Sequence, residues 1–133
     1  MNRAQLEGAL RNLSRSHGYS FELMPAHRLA EVREFPTMVL EPPSVANVDG
    51  RGHGRISYNI TLHALALAAR LSAAERSEIQ QKMESDMLDM LTELSESDRV
   101  IEVEQVGITP REFAFTTHGE ISQTARAVVV TYF

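Results

Sequence analysis

The sequence predicts an α+β domain, a mostly antiparallel sheet with two amphipathic helices packed on one face. Three observations predict it. Apolar residues recur at helical spacing in two stretches, one behind Asn2 and one behind Ser72. From Ile56 to Ala66 every second side chain is apolar, with Ser57, Asn59, Thr61 and His63 between them. The remaining strand-like runs follow one another at hairpin distance on either side of the second helix, which favours antiparallel pairing and leaves the helices to cover one face.

Taken in order, Asn2 caps a first helix and Gly18 suits its C′ position. Leu6, Ala9, Leu10 and Leu13 form its apolar stripe, with Arg3, Glu7, Arg11 and Arg15 mostly opposite. Tyr19, Phe21 and Leu23 alternate as a short strand that Pro25 ends. Residues 26–35 read as a helical turn or loop. Thr37 to Glu41 is a second strand, stopped by Pro42 and Pro43. Residues 44–55, SVANVDGRGHGR, read as a mobile loop, because three glycines free the backbone and no apolar stripe holds it. In the long strand, Ile56, Tyr58, Ile60, Leu62, Ala64 and Ala66 face the core, while Ser57, Asn59, Thr61 and His63 face away. It should pair with 37–41 as a hairpin whose tip is the Gly-rich loop.

Ser72 and Glu75 form a capping box for the second helix. Ile79, Met83, Met87, Met90, Leu91 and Leu94 are its buried stripe, and Glu78 with Lys82 an exposed i,i+4 pair. Arg99 to Val106 alternates again, and Thr109-Pro110 reads as a break. Glu112 to Thr117 and Ile121 to Phe133 read as two strands joined at His118-Gly119, the last apolar enough for burial on both faces.

The chain has 133 residues, the size of a single domain spanning 1–133, with 43% hydrophobic and 23% charged residues. It has no cysteine, which excludes disulfides, thiolate nucleophiles and Cys-ligated metal centres. A net charge of −5 argues against a dedicated nucleic-acid binder. No run reaches the ~18–20 apolar residues of a membrane span, and the amphipathic N-terminus reads as mature structure in an intracellular-type protein. Charge is uneven: residues 1–70 hold eight arginines against six acids, a balance of +2, and residues 71–133 hold five basic groups against twelve acids, a balance of −7. Such polarity can orient subunits head to tail, or can simply mark a solvated acidic helix. All basic residues except Lys82 are arginine, the cation favoured at interfaces.

Motifs for catalysis are missing. There is no HExxH, GxSxG or Walker A sequence. None of His17, His27, His53, His63 and His118 has partners at zinc-ligand spacing; His27 and Glu31 share i,i+4 spacing but make only two ligands. No catalytic residue, cofactor-binding residue or metal ligand is assigned. His63, on the polar strand face, reads as solvated or hydrogen-bonded. GRGHG at 50–54 departs from the GxGxxG dinucleotide pattern and precedes a strand rather than a helix. As an interaction loop, Arg51, His53 and Arg55 could contact a phosphate or a neighbouring subunit; otherwise the segment is a hairpin tip.

The segment RISYNITLHALALAARLSAAERSEIQQKMESDMLDML, a long strand running into a capped helix, together with the closing HGEISQTARAVVVTYF, resembles the tail-terminator or tail-completion proteins of long-tailed bacteriophages. The likeness lies in the order of elements along nearly the whole chain. It implies a structural protein, not an enzyme, that forms a homo-oligomeric ring at the head-proximal end of the tail tube. Its partners would be further copies of itself, the tail-tube protein and the head-completion protein, with no cofactor, membrane or specific nucleic acid. Location would be cytoplasmic during assembly and then the virion tail, and residues 45–55 would align with loops that face a neighbour or the channel. The competing reading is a small α+β module that binds a ligand or peptide as a homodimer, recognisable by a concave apolar pocket.

Overall fold

The computed structural model describes residues 1–50 and 54–133. Helix α1 (Arg3–Ser16) is capped by Asn2 and Gln5 in a reciprocal capping box, and Gly18 follows it with φ +88°, a conformation that favours glycine. Strand β1 (Ser20–Leu23) leads through a 3₁₀ turn (Ala26–Glu31) into β2 (Thr37–Leu40), β3 (Ser44–Asp49) and β4 (Arg55–Ala66). Helix α2 (Ala73–Ser95) starts at the expected Ser72–Glu75 capping box. Strands β5 (Val100–Pro110) and β6 (Ile121–Tyr132) close the chain.

The sheet runs β1-β2-β4-β6-β5, antiparallel except for β1 with β2. Strand β6 pairs β4 along its whole length, so β2 and β3 must share the opposite edge of β4. Strand β2 takes Leu62–Leu65 and β3 takes Arg55–Asn59. Between them, Pro42 and Pro43 have no N–H to give, and the ladder breaks there. The hairpin is thus longer than expected, and residues 44–49 are strand rather than loop. The strand is hard to see in the sequence because its register shifts between Val45 and Asn47. That bulge puts Val45 and Val48, three residues apart, opposite Tyr58 and Ile56 on one face. At the foot of the tip, Gly54 is buried; a Cβ there would stand 3.2 Å from the Asp49 carbonyl oxygen and 3.3 Å from Cβ of Phe133.

Both helices cover one face. Leu6 and Leu10 of α1 and Met83, Met87, Met90, Leu91 and Leu94 of α2 bury against Met38, Leu40, Tyr58, Ile60, Leu62 and Val129. Helix α1 lies over β1 and β2, and α2 over β5 and β6. Three local readings change. Lys82 pairs with Asp86 at 2.6 Å, one turn C-terminal to it, rather than with Glu78. Strand β5 continues through Thr109-Pro110, pairing Gly107–Pro110 with Gln123–Arg126. Residues 112–117 are not a strand, because β5 already holds the edge of β6 that they would need. Their backbone instead turns onto Glu120, whose carboxylate accepts from the N–H groups of Phe115 (2.6 Å) and Thr116 (3.0 Å).

Candidate functional site

Two exposed sheet edges stand out, β3 and β5, on opposite sides of β4 and β6; β1 at the end of the sheet, which among the described residues pairs with β2 alone, is a third. Among the described residues β3 pairs with β4 alone and β5 with β6 alone, so each keeps one row of unpaired backbone groups. All six residues of β3 are exposed. Neither helix reaches over β3, which leaves Val45 and Val48 bare on the helix side of the sheet. On the other edge, β5 bulges between Glu104 and Gly107, with Gln105 at φ 54°. The bulge turns Val106 into a shallow groove with Leu88, Leu91 and Val103, between β5 and α2. Both edges therefore present aliphatic side chains on the same face of the sheet.

The helices carry opposite charge. Arg3, Arg11 and Arg15 lie on α1, over the β1–β2 side, with Arg11 stacked 5.3 Å from the Phe21 ring. Glu84, Glu93 and Glu96 lie exposed on or just beyond α2, and Glu102 lies exposed on β5. The two helices thus differ in sign, while the strands beside them carry charges of both signs, Glu22 near β1 and Arg99 and Arg126 near β5 and β6 among them. Bulges and carboxylates on an edge strand discourage indiscriminate pairing, so an added strand has to match in shape and sign.

Of the three interaction-loop residues, Arg51 and His53 lie outside the described residues. Arg55 is exposed at the start of β4, between Asp49 of β3 and Tyr132 of β6. It stands on the sheet face away from the helices.

Sequence reasoning missed a buried polar relay. His63 is 4% exposed. Its Nε2 lies 2.7 Å from Glu41 Oε2 and its Nδ1 2.8 Å from Thr124 Oγ1. With Glu41 as the acceptor, Nε2 donates and Nδ1 accepts from the Thr124 hydroxyl. Phe115 meets the imidazole edge-on at 5.2 Å, and Arg111 stacks on Phe115 at 3.9 Å. Burial pushes the His63 pKa below the usual histidine value, against the opposing pull of Glu41. A hydroxyl, imidazole and carboxylate in series have the connectivity of a nucleophilic relay. Here the hydroxyl is sealed: Thr124 is 7% exposed and sits behind His63. The arrangement pins β2, β4, β6 and the 111–120 segment together. The signal for it was Glu41, an acid placed just before two prolines, opposite Thr61 and so diagonal to His63.

A concave apolar site is also present, a cavity of about 310 Å³ between Tyr19, Phe35, Ala66, Leu67, Ile79 and Met83. No helix is long and apolar enough to cross a membrane among the described residues. In comparisons with known proteins, no family model matches the chain, and no curated protein matches it either.

Proposed function

We propose that the chain is a structural assembly protein of the phage tail-terminator kind, a subunit that joins copies of itself head to tail into a ring on the head-proximal end of a tail tube. The observation that carries this reading is the pair of unlike, opposed edges. A contact between β3 of one copy and β5 of the next is heterologous, and such contacts close into rings when their rotation divides a full turn. Added strands contribute backbone hydrogen bonds, and side-chain pockets contribute specificity. Val45 and Val48 of one copy would enter the Leu88–Val106 groove of the next. In the virion, the tail-tube and head-completion proteins would meet the two ends of the ring.

Sedimentation velocity across protein concentration, with and without purified tail tubes, tests this. Wild-type chain should self-associate, more strongly on tubes and less at high salt. Val48→Asp and Val106→Asp should each abolish rings, whereas an equimolar mixture of the two should form dimers, because one intact contact survives between them. A strict monomer that also ignores tail tubes defeats the proposal. The second reading, a ligand-binding homodimer, is favoured by the cavity at Tyr19 and Met83. A concentration-independent dimer unaffected by Val48→Asp would establish it instead.

A further inference from the structure

His17 ends α1 as its C-cap residue, and its ring leans onto α2. One ligand atom from each of His17, Asp86 and Asp89 lies within 4.8 Å of the other two. Asp86 and Asp89 sit three residues apart on α2, and the α1–α2 packing brings the histidine to them. The surroundings fix how these groups point. Glu93 Oε1 lies 3.2 Å from His17 Nε2, and in the tautomer with Nε2 protonated that N–H donates to it. The second oxygen of Asp86, Oδ2, accepts from the Tyr19 hydroxyl and from Lys82, each at 2.6 Å. That leaves Asp86 Oδ1 turned to His17 Nδ1 at 3.9 Å, too far for a hydrogen bond.

With its proton on Nε2, the imidazole thus aims a lone pair at a carboxylate oxygen, and Nδ1 has no hydrogen bond to any described residue. In that tautomer the Nδ1 lone pair and Asp86 Oδ1 face one another across 3.9 Å, an arrangement that a cation between them would satisfy. We propose that His17, Asp86 and Asp89 form a binding site for a divalent transition-metal ion, with Glu93 and Tyr19 as the outer partners that orient the ligands. An imidazole ligand selects zinc-like and cobalt-like ions over magnesium and calcium, which prefer oxygen alone. A carboxylate on the far ring nitrogen is the usual outer partner of a metal-bound histidine. Ligand atoms around one such ion stand about 3–4 Å apart, so the set closes with side-chain shifts of about an ångström. The ion would tie the end of α1 to the middle of α2. The proposal is independent of ring formation.

Titration of the full chain with Co²⁺, followed by calorimetry and visible absorption, and with Zn²⁺, followed by thermal unfolding, tests the site. One ion should bind per chain, and Zn²⁺ at 100 times its dissociation constant should raise the unfolding midpoint by roughly 5–10 °C. Magnesium should do nothing. His17→Gln and Asp89→Asn should each weaken binding at least roughly tenfold. Asp89 is exposed, so its variant keeps the fold and isolates the ligand effect. Lys82→Ala, which removes a competing cation, should tighten binding. Affinity unchanged in both His17→Gln and Asp89→Asn, or no binding at millimolar Zn²⁺, overturns the site.

Discussion

On the sheet face away from the helices, the two ends of β4 are built alike and end up in different surroundings. Toward its C-terminal end, Leu65 and His63 are buried, with Val39 of β2 and Thr124 of β6 beside them. Met24, Leu29, Val32, Phe35 and Phe115 close over Leu65 and Val39 as a second small core. Toward the N-terminal end, Asn59 is exposed and Ser57 and Thr61 are half-buried, beside Ser44, Asn47, Arg126 and Val128. A strand's alternation states which residues share a face, but whether that face is wet depends on what other segments lie over it. The covered end holds the fold, and the more open end adjoins the exposed β3 edge.

The largest expected effect lies at the covered end. Leu65 is fully buried between Val39 and the residues of the 3₁₀ turn. Leu65→Ala removes buried methyl groups and leaves a cavity, so it should cost about 2–5 kcal/mol. Urea unfolding measures this from the midpoint at constant slope. A loss below about 1 kcal/mol would mean that the 24–35 segment packs only loosely on the sheet.

The intermediate effect concerns His63. His63→Ala leaves Thr124 and Glu41 without their partner and should cost about 1–3 kcal/mol. Because burial holds its folded pKa below the unfolded value, the unfolded chain binds the proton more readily. Stability from this residue is therefore fully present above about pH 6.5 and is lost as pH falls through the folded pKa. Unfolding midpoints measured from about pH 7.5 to 5 should fall more steeply for wild type than for His63→Gln. Parallel curves would show that the imidazole carries its proton without penalty, and the relay would need redrawing.

Much of this was legible in the residues themselves. Asn2 and Ser72 fix the helix starts, and the Ile56–Ala66 alternation fixes the core face of β4 because its register matches β6 residue for residue. The parts that were not legible depend on partners far along the chain. Strand β3 hides its period behind a bulge at Ala46. Residues 112–117 alternate like a strand, yet the edge they would use is occupied by β5. His63 looks like a solvent-facing strand residue until Phe115 and Glu41 arrive from elsewhere. The His17–Asp86–Asp89 grouping depends on helix packing, which no spacing within one segment reveals. The edges that the proposed ring would use belong to the same class, since an edge is defined by the strand that is not there.

The smallest expected effect is the one that most sharpens the contrast. Asn59 shares the face of His63 and Leu65, but it is exposed, between Ser44 of β3 and Val128 of β6. Asn59→Asp adds a charge in water, where neither desolvation nor a lost hydrogen bond penalises it. Asn59, Thr61, Gln105 and Arg126 line one shallow cavity, so the new carboxylate has an arginine within the same depression. Exposed pairs of this kind contribute little, because water screens them. The stability of the isolated chain should stay within about 0.5 kcal/mol of wild type. A clearly larger loss would mean that the N-terminal half of β4 is covered in solution by something other than its own chain. Repeating the urea titration at tenfold lower protein concentration identifies that cover: a loss that vanishes on dilution belongs to a neighbouring copy, and one that persists belongs to the fold.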